Sequence, residues 1–192
     1  MRAVMREVPE QWLEERARHG HDVWDELWEG VLHMVPPPSF AHQRLGSRLL
    51  MVLGPHLGAK GIETLYETGV YRPGSNYQDY RVPDLLFLPA NPGPGLITPR
   101  GVEGGPLAVV ELRSTDDETY EKRPFYAALG VREVIVIDPP TRAVEVFRLA
   151  GGTYFAVGAD DRGRLHAATL DVRFETVAGA LRVDCAGASA DL

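Results

Sequence analysis

Val82-Pro-Asp-Leu-Leu-Phe-Leu88 and Leu107-Ala-Val-Val-Glu-Leu-Arg113 are apolar runs, each broken by a single carboxylate, Asp84 and Glu111. Runs of this length, rich in Leu, Val and Phe and bounded by Pro or Gly, read as buried strands. A carboxylate within such a strand must be ion-paired, hydrogen-bonded or bound to a cation, because an isolated buried charge is costly. Two readings follow. Either each acid lies at a strand end and is satisfied by an arginine, or the two acids, 27 residues apart, face one hard cation. Such a cation draws oxygen ligands from more than one segment, and the recurrence of the pattern on both strands favours that reading. Alternation places residues 111 and 113 on one face, so Glu111 and Arg113 are neighbours.

The segment after Arg113 runs Ser-Thr-Asp-Asp-Glu-Thr-Tyr-Glu-Lys-Arg-Pro-Phe-Tyr126 into a helix ending near Gly130. Pro124 cannot sit deep in a helix, so the helix is expected to start near Tyr120 or Glu121, with Lys122 in its first turn. That is the unfavourable end of the helix dipole for a cation. The ammonium therefore answers another charge: the acids at the end of the preceding strand, or, more plainly, Asp116, Asp117 or Glu118.

Upstream, Pro9 and Gly20 bracket a short amphipathic helix, Glu10–Arg18. Glu26–Trp28 and Val31–Met34 flank Glu29–Gly30 as a hairpin, with Glu an unusual first turn residue. Ser39 caps a helix whose stripe, Leu45, Leu49, Val52 and Leu53, ends before Pro55 and Gly58. Residues 62–70 alternate loosely, and Pro89–Pro106 reads as a Gly/Pro loop. Glu133–Ile137, Ala143–Leu149 and Thr153–Val157 are strands joined by Asp-Pro-Pro-Thr and Ala-Gly-Gly turns. The expected class is α/β or α+β, a mixed β-sheet flanked by helices, with the helix at 40–54 on one face and that at about 120–129 packed beside it.

Length and composition set bounds. The 192 residues are read as one domain, with 1–22 a helical extension. Hydrophobic residues are 44% and charged residues 24%, which excludes wholesale disorder. The single cysteine, Cys185, allows no internal disulfide and no cysteine-based zinc site, and with no apolar run of membrane-spanning length or secretory pattern the expected location is the cytoplasm, without membrane contact. The net charge of −7 opposes tight capture of nucleic acid. It resides at the ends: residues 1–35 hold 4 basic and 8 acidic groups, 133–192 hold 6 and 9, and 36–132 hold 10 and 10. Arg44, Arg48, Arg72, Arg81 and Arg123 in that neutral centre are the candidates to face a nucleic acid. Trp12, Trp24 and Trp28 read as core or interface aromatics, and His19 and His21 are too isolated to be ligands. No Ser/His/Asp order, phosphate-binding glycine loop or Cys/His cluster occurs.

Taken in order, Glu29–Gly30, the Pro36–Pro38 turn, a helix bearing His42, Val82-Pro-Asp84, Val109-Val-Glu-Leu-Arg-Ser114, Lys122, Tyr126, Gly130-Val131 and Asp138-Pro139 resemble the Uma-type restriction-endonuclease family of the PD-(D/E)XK nuclease-like superfamily. The likeness runs from about Glu26 to Leu149 and, more weakly, to about Val183. It implies a restriction-endonuclease-like fold and a DNA endonuclease acting with Mg²⁺ or Mn²⁺ held by Asp84, Glu111 and the Leu112 carbonyl. Glu29 would be a further acidic ligand, direct or through water, or else an exposed turn acid. The superfamily places a lysine two residues after the Glu, where this chain has Arg113, and the resemblance suggests that Lys122 supplies the ammonium. Arg113 can stabilise transition-state charge but cannot act as a base. His42 could approach the site, or be a half-buried helix histidine. A homodimer is the expected assembly. The competing functions are a non-catalytic binding or assembly module on the same fold, and a hydrolase of a small phosphorylated molecule.

Overall fold

The computed structural model describes residues 3–5, 8–20, 22–114, 118–185 and 187–192. His21, Asp116 and Asp117, considered above, lie outside the described residues. The chain opens with β1 (Ala3–Met5), α1 (Glu10–Arg18), β2 (Glu26–Trp28), β3 (Val31–Met34) and α2 (Phe40–Gly58). There follow β4 (Ile62–Tyr66), β5 (Val70–Tyr71), β6 (Tyr80–Arg81), β7 (Leu85–Pro89), β8 (Ile97–Thr98), β9 (Gly101–Glu103) and β10 (Ala108–Leu112). After α3 (Arg123–Ala128) come β11 (Glu133–Ile137), β12 (Val144–Ala150) and β13 (Thr153–Ala156), then β14 (Leu165–Ala167), β15 (Val172–Val177), β16 (Ala180–Cys185) and β17 (Ala188–Asp191).

The central sheet has six strands in the order β13-β12-β11-β10-β7-β4. It is mixed: β10 and β11 are parallel, joined through α3, and the other pairs are antiparallel. Both acidic runs therefore form adjacent strands at its middle. Their burial alternates. Leu85, Phe87, Ala108, Val110, Leu112, Ile135 and Ile137 pack with Leu45, Leu49, Leu53 and Leu57 of α2. Leu86, Leu88, Val109, Val134 and Val136 pack with Phe125 and Tyr126 of α3. Period-two alternation assigns these sets to opposite faces, so α3 does not lie beside α2, as expected from sequence, but covers the other side of the sheet. This places Glu111, in step with Val109, on the α3 face.

Three further expectations need correction. Pro55 does not end α2, which continues to Gly58. Leu57 extends the four-residue stripe and is fully buried, and that burial outweighs the one backbone bond that Pro55 removes. The stretch 62–70 is two strands in different sheets: Glu67 takes φ 43° and breaks it after β4, and β5 joins a seven-stranded sheet ordered β1-β3-β2-β6-β5-β9-β8. The Gly/Pro segment 89–106 contains β8 and β9, with β9 parallel to β5. Gly101 permits this: at φ 144°, an added Cβ would meet the Gly69 carbonyl oxygen at 2.4 Å.

Beyond residue 157 the chain forms a four-stranded antiparallel sheet, β14-β15-β16-β17. Val172, Phe174, Leu181, Val183 and Cys185 pack it onto the α2 side of the central sheet. At the other end α1 forms as expected, but it buries no residue and is preceded by β1, which pairs with β3. The two-residue Gly151–Gly152 turn has positive φ at both positions and joins β12 to β13, the geometry favoured for tight hairpins. Among the described residues no helix is long and apolar enough to cross a membrane.

Candidate active site

The Val110↔Leu85 register of β10 and β7, continued by one residue, sets Asp84 opposite Glu111 on the α3 face of the sheet. Opposed residues on neighbouring antiparallel strands have Cβ atoms about 4.5–5.5 Å apart. Pro83 cannot donate a hydrogen bond, and β7 begins only after Asp84. The Asp84 side chain fills the gap: its Oδ2 accepts the Leu112 N–H at 2.6 Å.

Lys122 stands at the N-cap of α3. Its ammonium lies 3.1 Å from Glu111 Oε2 and 2.8 Å from Glu26 Oε1. The sequence expectation that this lysine reaches the strand acids is met in the geometry. The alternative partner, Glu118, is held instead by His33 Nδ1 at 2.6 Å. Glu111 Oε1 accepts the Tyr126 hydroxyl at 2.5 Å. Glu26 Oε1 also accepts the Val82 N–H at 2.8 Å, and its Oε2 accepts the Trp28 indole N–H at 2.8 Å.

His42, in the first turn of α2 behind the Ser39 cap, points its Nε2 between Asp84 Oδ1, at 3.2 Å, and the Leu112 carbonyl oxygen, at 3.1 Å. It thus touches two of the three oxygen sources named from sequence. Arg113 shares the Glu111 face but pairs elsewhere: its Nη1 is 3.8 Å from Asp138 Oδ2, and the guanidinium lies over the Tyr120 ring. A lengthwise reach past Glu111 accounts for this, since Asp138 follows β11, which pairs with β10.

Glu29 is a correction. It is an exposed turn residue at φ 51°, with Gly30 at 84°, in a two-residue turn joining Trp28 to Val31. Its N–H donates to Asp79 Oδ1 at 3.2 Å. A residue at the hairpin tip points away from the paired strands, and Glu26, on β2, occupies the site instead. Glu26 was missed although it has a sequence signal, an acid opening an apolar strand. Glu26→Gln is expected to lower stability by about 1.5–3 kcal/mol, the range for losing a charged hydrogen-bond partner. Glu29→Gln should change it by less than about 0.5 kcal/mol, as at ordinary surface positions. Thermal unfolding of the two variants checks this.

Glu26, His42, Asp84, Glu111, Leu112, Arg113 and Lys122 line a cleft of about 630 Å³ that also takes in Trp24, Val35–Ser39, Glu67, Glu118, Asp138, Pro139 and Pro140. Six carboxylates line it, Glu26, Glu67, Asp84, Glu111, Glu118 and Asp138, against two permanent cations, Arg113 and Lys122. Burial above all pushes the Asp84 and Glu111 carboxyls above the ordinary carboxylate range, helped by Glu67 and Glu26 at Asp84 and by Asp84 and Glu26 at Glu111, against the opposing pull of Lys122, the Leu112 N–H and the Tyr126 hydroxyl. For Lys122, burial works against the charge, but Glu111 and Glu26 outweigh it and hold its pKa above the ordinary value.

None of the five arginines expected to face a nucleic acid lines this cleft. Arg81 is buried between the Trp28 and Phe125 rings and bound to Asp79; Arg72 also binds Asp79, and Arg123 lies over Tyr120 and Phe147. Arg44 is exposed and Arg48 half-buried on α2. Conversely Trp24, read as a core or interface aromatic, is a wall of the cleft, its indole N–H on Glu67 Oε2 at 3.1 Å.

A mixed sheet whose antiparallel neighbours β7 and β10 bring the two acids together, flanked by α2 and α3, defines a restriction-endonuclease-like nuclease fold. The family described as "Uma2: Putative restriction endonuclease" matches residues 10–180, and the chain belongs to it. A solved structure from Anabaena variabilis ATCC 29413, described as a "putative nuclease belonging to DUF820", is similar with a TM-score of 0.61 over 77% of this chain and 83% of that one. Its 16% identity makes this a likeness of fold. No curated protein matches the chain.

Proposed function

We propose that this chain is a divalent-cation-dependent endonuclease that hydrolyses DNA phosphodiester bonds in the cleft over Asp84 and Glu111. The observation that carries the reading is the meeting of two acids from neighbouring strands with the Lys122 ammonium in one cleft. Among the described residues no three His, Cys, Asp or Glu side chains stand as a ready metal cluster. The donor set nevertheless fits a hard cation. It comprises two carboxylates and the Leu112 carbonyl, with Glu26 behind them, and Glu26, Asp84 and Glu111 against Lys122 leave a formal charge of −2. Mg²⁺ or Mn²⁺ held there would polarise a phosphoryl oxygen and acidify an attacking water.

The residues then have separate tasks. Lys122 orients Glu111 and offers positive charge where the phosphoryl group gains negative charge. Tyr126 fixes the other Glu111 oxygen, and the Leu112 N–H fixes Asp84. Arg113, held only at 3.8 Å by Asp138, clamps a phosphate oxygen. The buried, unpaired thiol of Cys185 suits the reducing cytoplasm as the place of action.

The acid excess of the cleft favours one other reading, a non-catalytic module on the nuclease fold. Incubating plasmid with wild type and Glu111→Ala in Mn²⁺ decides between them. Nicking by wild type that drops at least 100-fold in Glu111→Ala supports the enzyme; a wild type inert in both Mn²⁺ and Mg²⁺ supports the module.

A further inference from the structure

We infer that the cleft takes a single flexible DNA strand in preference to a duplex, a reading that rests on the phosphodiesterase assignment above and narrows its substrate. Three features of the cleft lead there. Its volume, about 630 Å³, is that of a small-molecule pocket, roughly 300–1,000 Å³, enough for a nucleotide-sized part of a chain. Its lining includes two proline segments, Pro36–Pro38 and Pro139–Pro140, whose fixed φ angles resist opening to a wider groove. Its charge is six carboxylates to two permanent cations, with Arg72, Arg81 and Arg123 committed to internal partners.

Charge density and stiffness turn these features into a preference. Duplex DNA carries one negative charge per ~1.7 Å of axis, twice that of one strand. Its persistence length of about 50 nm fixes the phosphates flanking the scissile one. A duplex laid over this cleft would hold those phosphates near Glu67, Glu118 and Asp138, with Arg113 and Lys122 the only permanent cations among the described lining residues to match them. A single strand bends at each nucleotide, so one phosphate can meet Arg113 and Lys122 while its neighbours turn to solvent.

Trp24 supplies what an acidic site cannot take from charge. It is the one Trp, Tyr or Phe among the described residues of the cleft lining, and base–aromatic stacking contributes about 1–3 kcal/mol per base irrespective of sequence. An unpaired base has a free face for this contact; a base within a duplex is already stacked on both sides.

The test measures initial cleavage rates on a fluorescent 20-nucleotide strand and on the same strand annealed to its complement, at equal Mn²⁺ and ionic strength. The expected result is at least tenfold faster cleavage of the single strand. Trp24→Ala should raise KM for the strand about tenfold while leaving kcat within a factor of two, with Trp24→Phe falling between. Equal or faster cleavage of the duplex would overturn the inference and leave the phosphodiesterase reading standing. Cleavage of neither substrate overturns both. A KM unmoved by Trp24→Ala removes the stacking contact from the argument and the inference with it.

Discussion

Lys122→Met is expected to lower Mn²⁺-dependent cleavage by about 10²–10³-fold, the loss typical of one preorganised electrostatic contact to a transition state. The Met side chain keeps the length and apolar stem of Lys122 but removes the charge that lies 3.1 Å from Glu111 and 2.8 Å from Glu26. Three acids are then left facing one another. Without metal the variant should be destabilised, by up to about 3–5 kcal/mol if the acids stay charged and by less if they take up protons. Added Mn²⁺ should restore much of that, because a ligand bound only by the folded state stabilises it by mass action. Metal affinity should accordingly equal or exceed that of wild type. Arg113→Lys should keep activity, since a cation remains beside Asp138 and the superfamily spacing from Glu111 is recreated. Wild-type cleavage by Lys122→Met together with an inactive Arg113→Ala would exchange the two roles.

What the sequence disclosed and what it hid divide along a physical line. The two acid-broken strands, the β10–α3–β11 unit and the β12–β13 hairpin are local patterns, and each lies within a few residues of its expected place. The acids were legible because a charge in an apolar run needs an explanation. Lys122 was legible through the family resemblance, since its place at a helix start, against the dipole, was equally answered by Asp116, Asp117 or Glu118. Glu26 gave only the weak signal of an acid opening an apolar strand, and Trp24 gave none, because their meaning depends on where separate strands land: Glu26 reaches the site only through the β2–β6 pairing that brings it to the Val82 N–H. The same holds for Arg72 and Arg81. Their neutral surroundings in sequence suggested a free basic face, whereas the fold closes them on Asp79 and on aromatic rings. Nor does local pattern say on which side of a sheet a crossover helix lies. That was settled by Phe125 and Tyr126 packing on the Leu86, Val109 and Val134 face, away from α2.

Raising the pH from 5 to 8 should destabilise the metal-free protein through Asp84 and Glu111, and saturating Mn²⁺ should cancel the loss. Burial lifts both carboxyls above their ordinary pKa, so the folded state binds their protons more tightly than the unfolded chain. The stability they contribute is complete below the ordinary carboxylate range, near 4, and is lost as pH rises through the raised folded values. Each titrating carboxyl costs up to about 1.4 kcal/mol per pH unit in that window. Asp79 runs the opposite way. Burial would raise it, but bonds from Arg72, Arg81 and the Glu29 N–H outweigh burial and lower it, so its contribution is lost only on acidification below about pH 4. The informative quantity is the difference between wild type and Asp84→Asn or Glu111→Gln. Each variant removes one ionising group and should flatten the metal-free slope. Mn²⁺ ligands must be ionised, so binding should tighten with pH and raise the melting temperature more at pH 8 than at pH 5. A metal-free melting temperature with the same slope in wild type and both variants would mean that Lys122 alone neutralises the acids, and the electrostatic case for a divalent cation would fall with it.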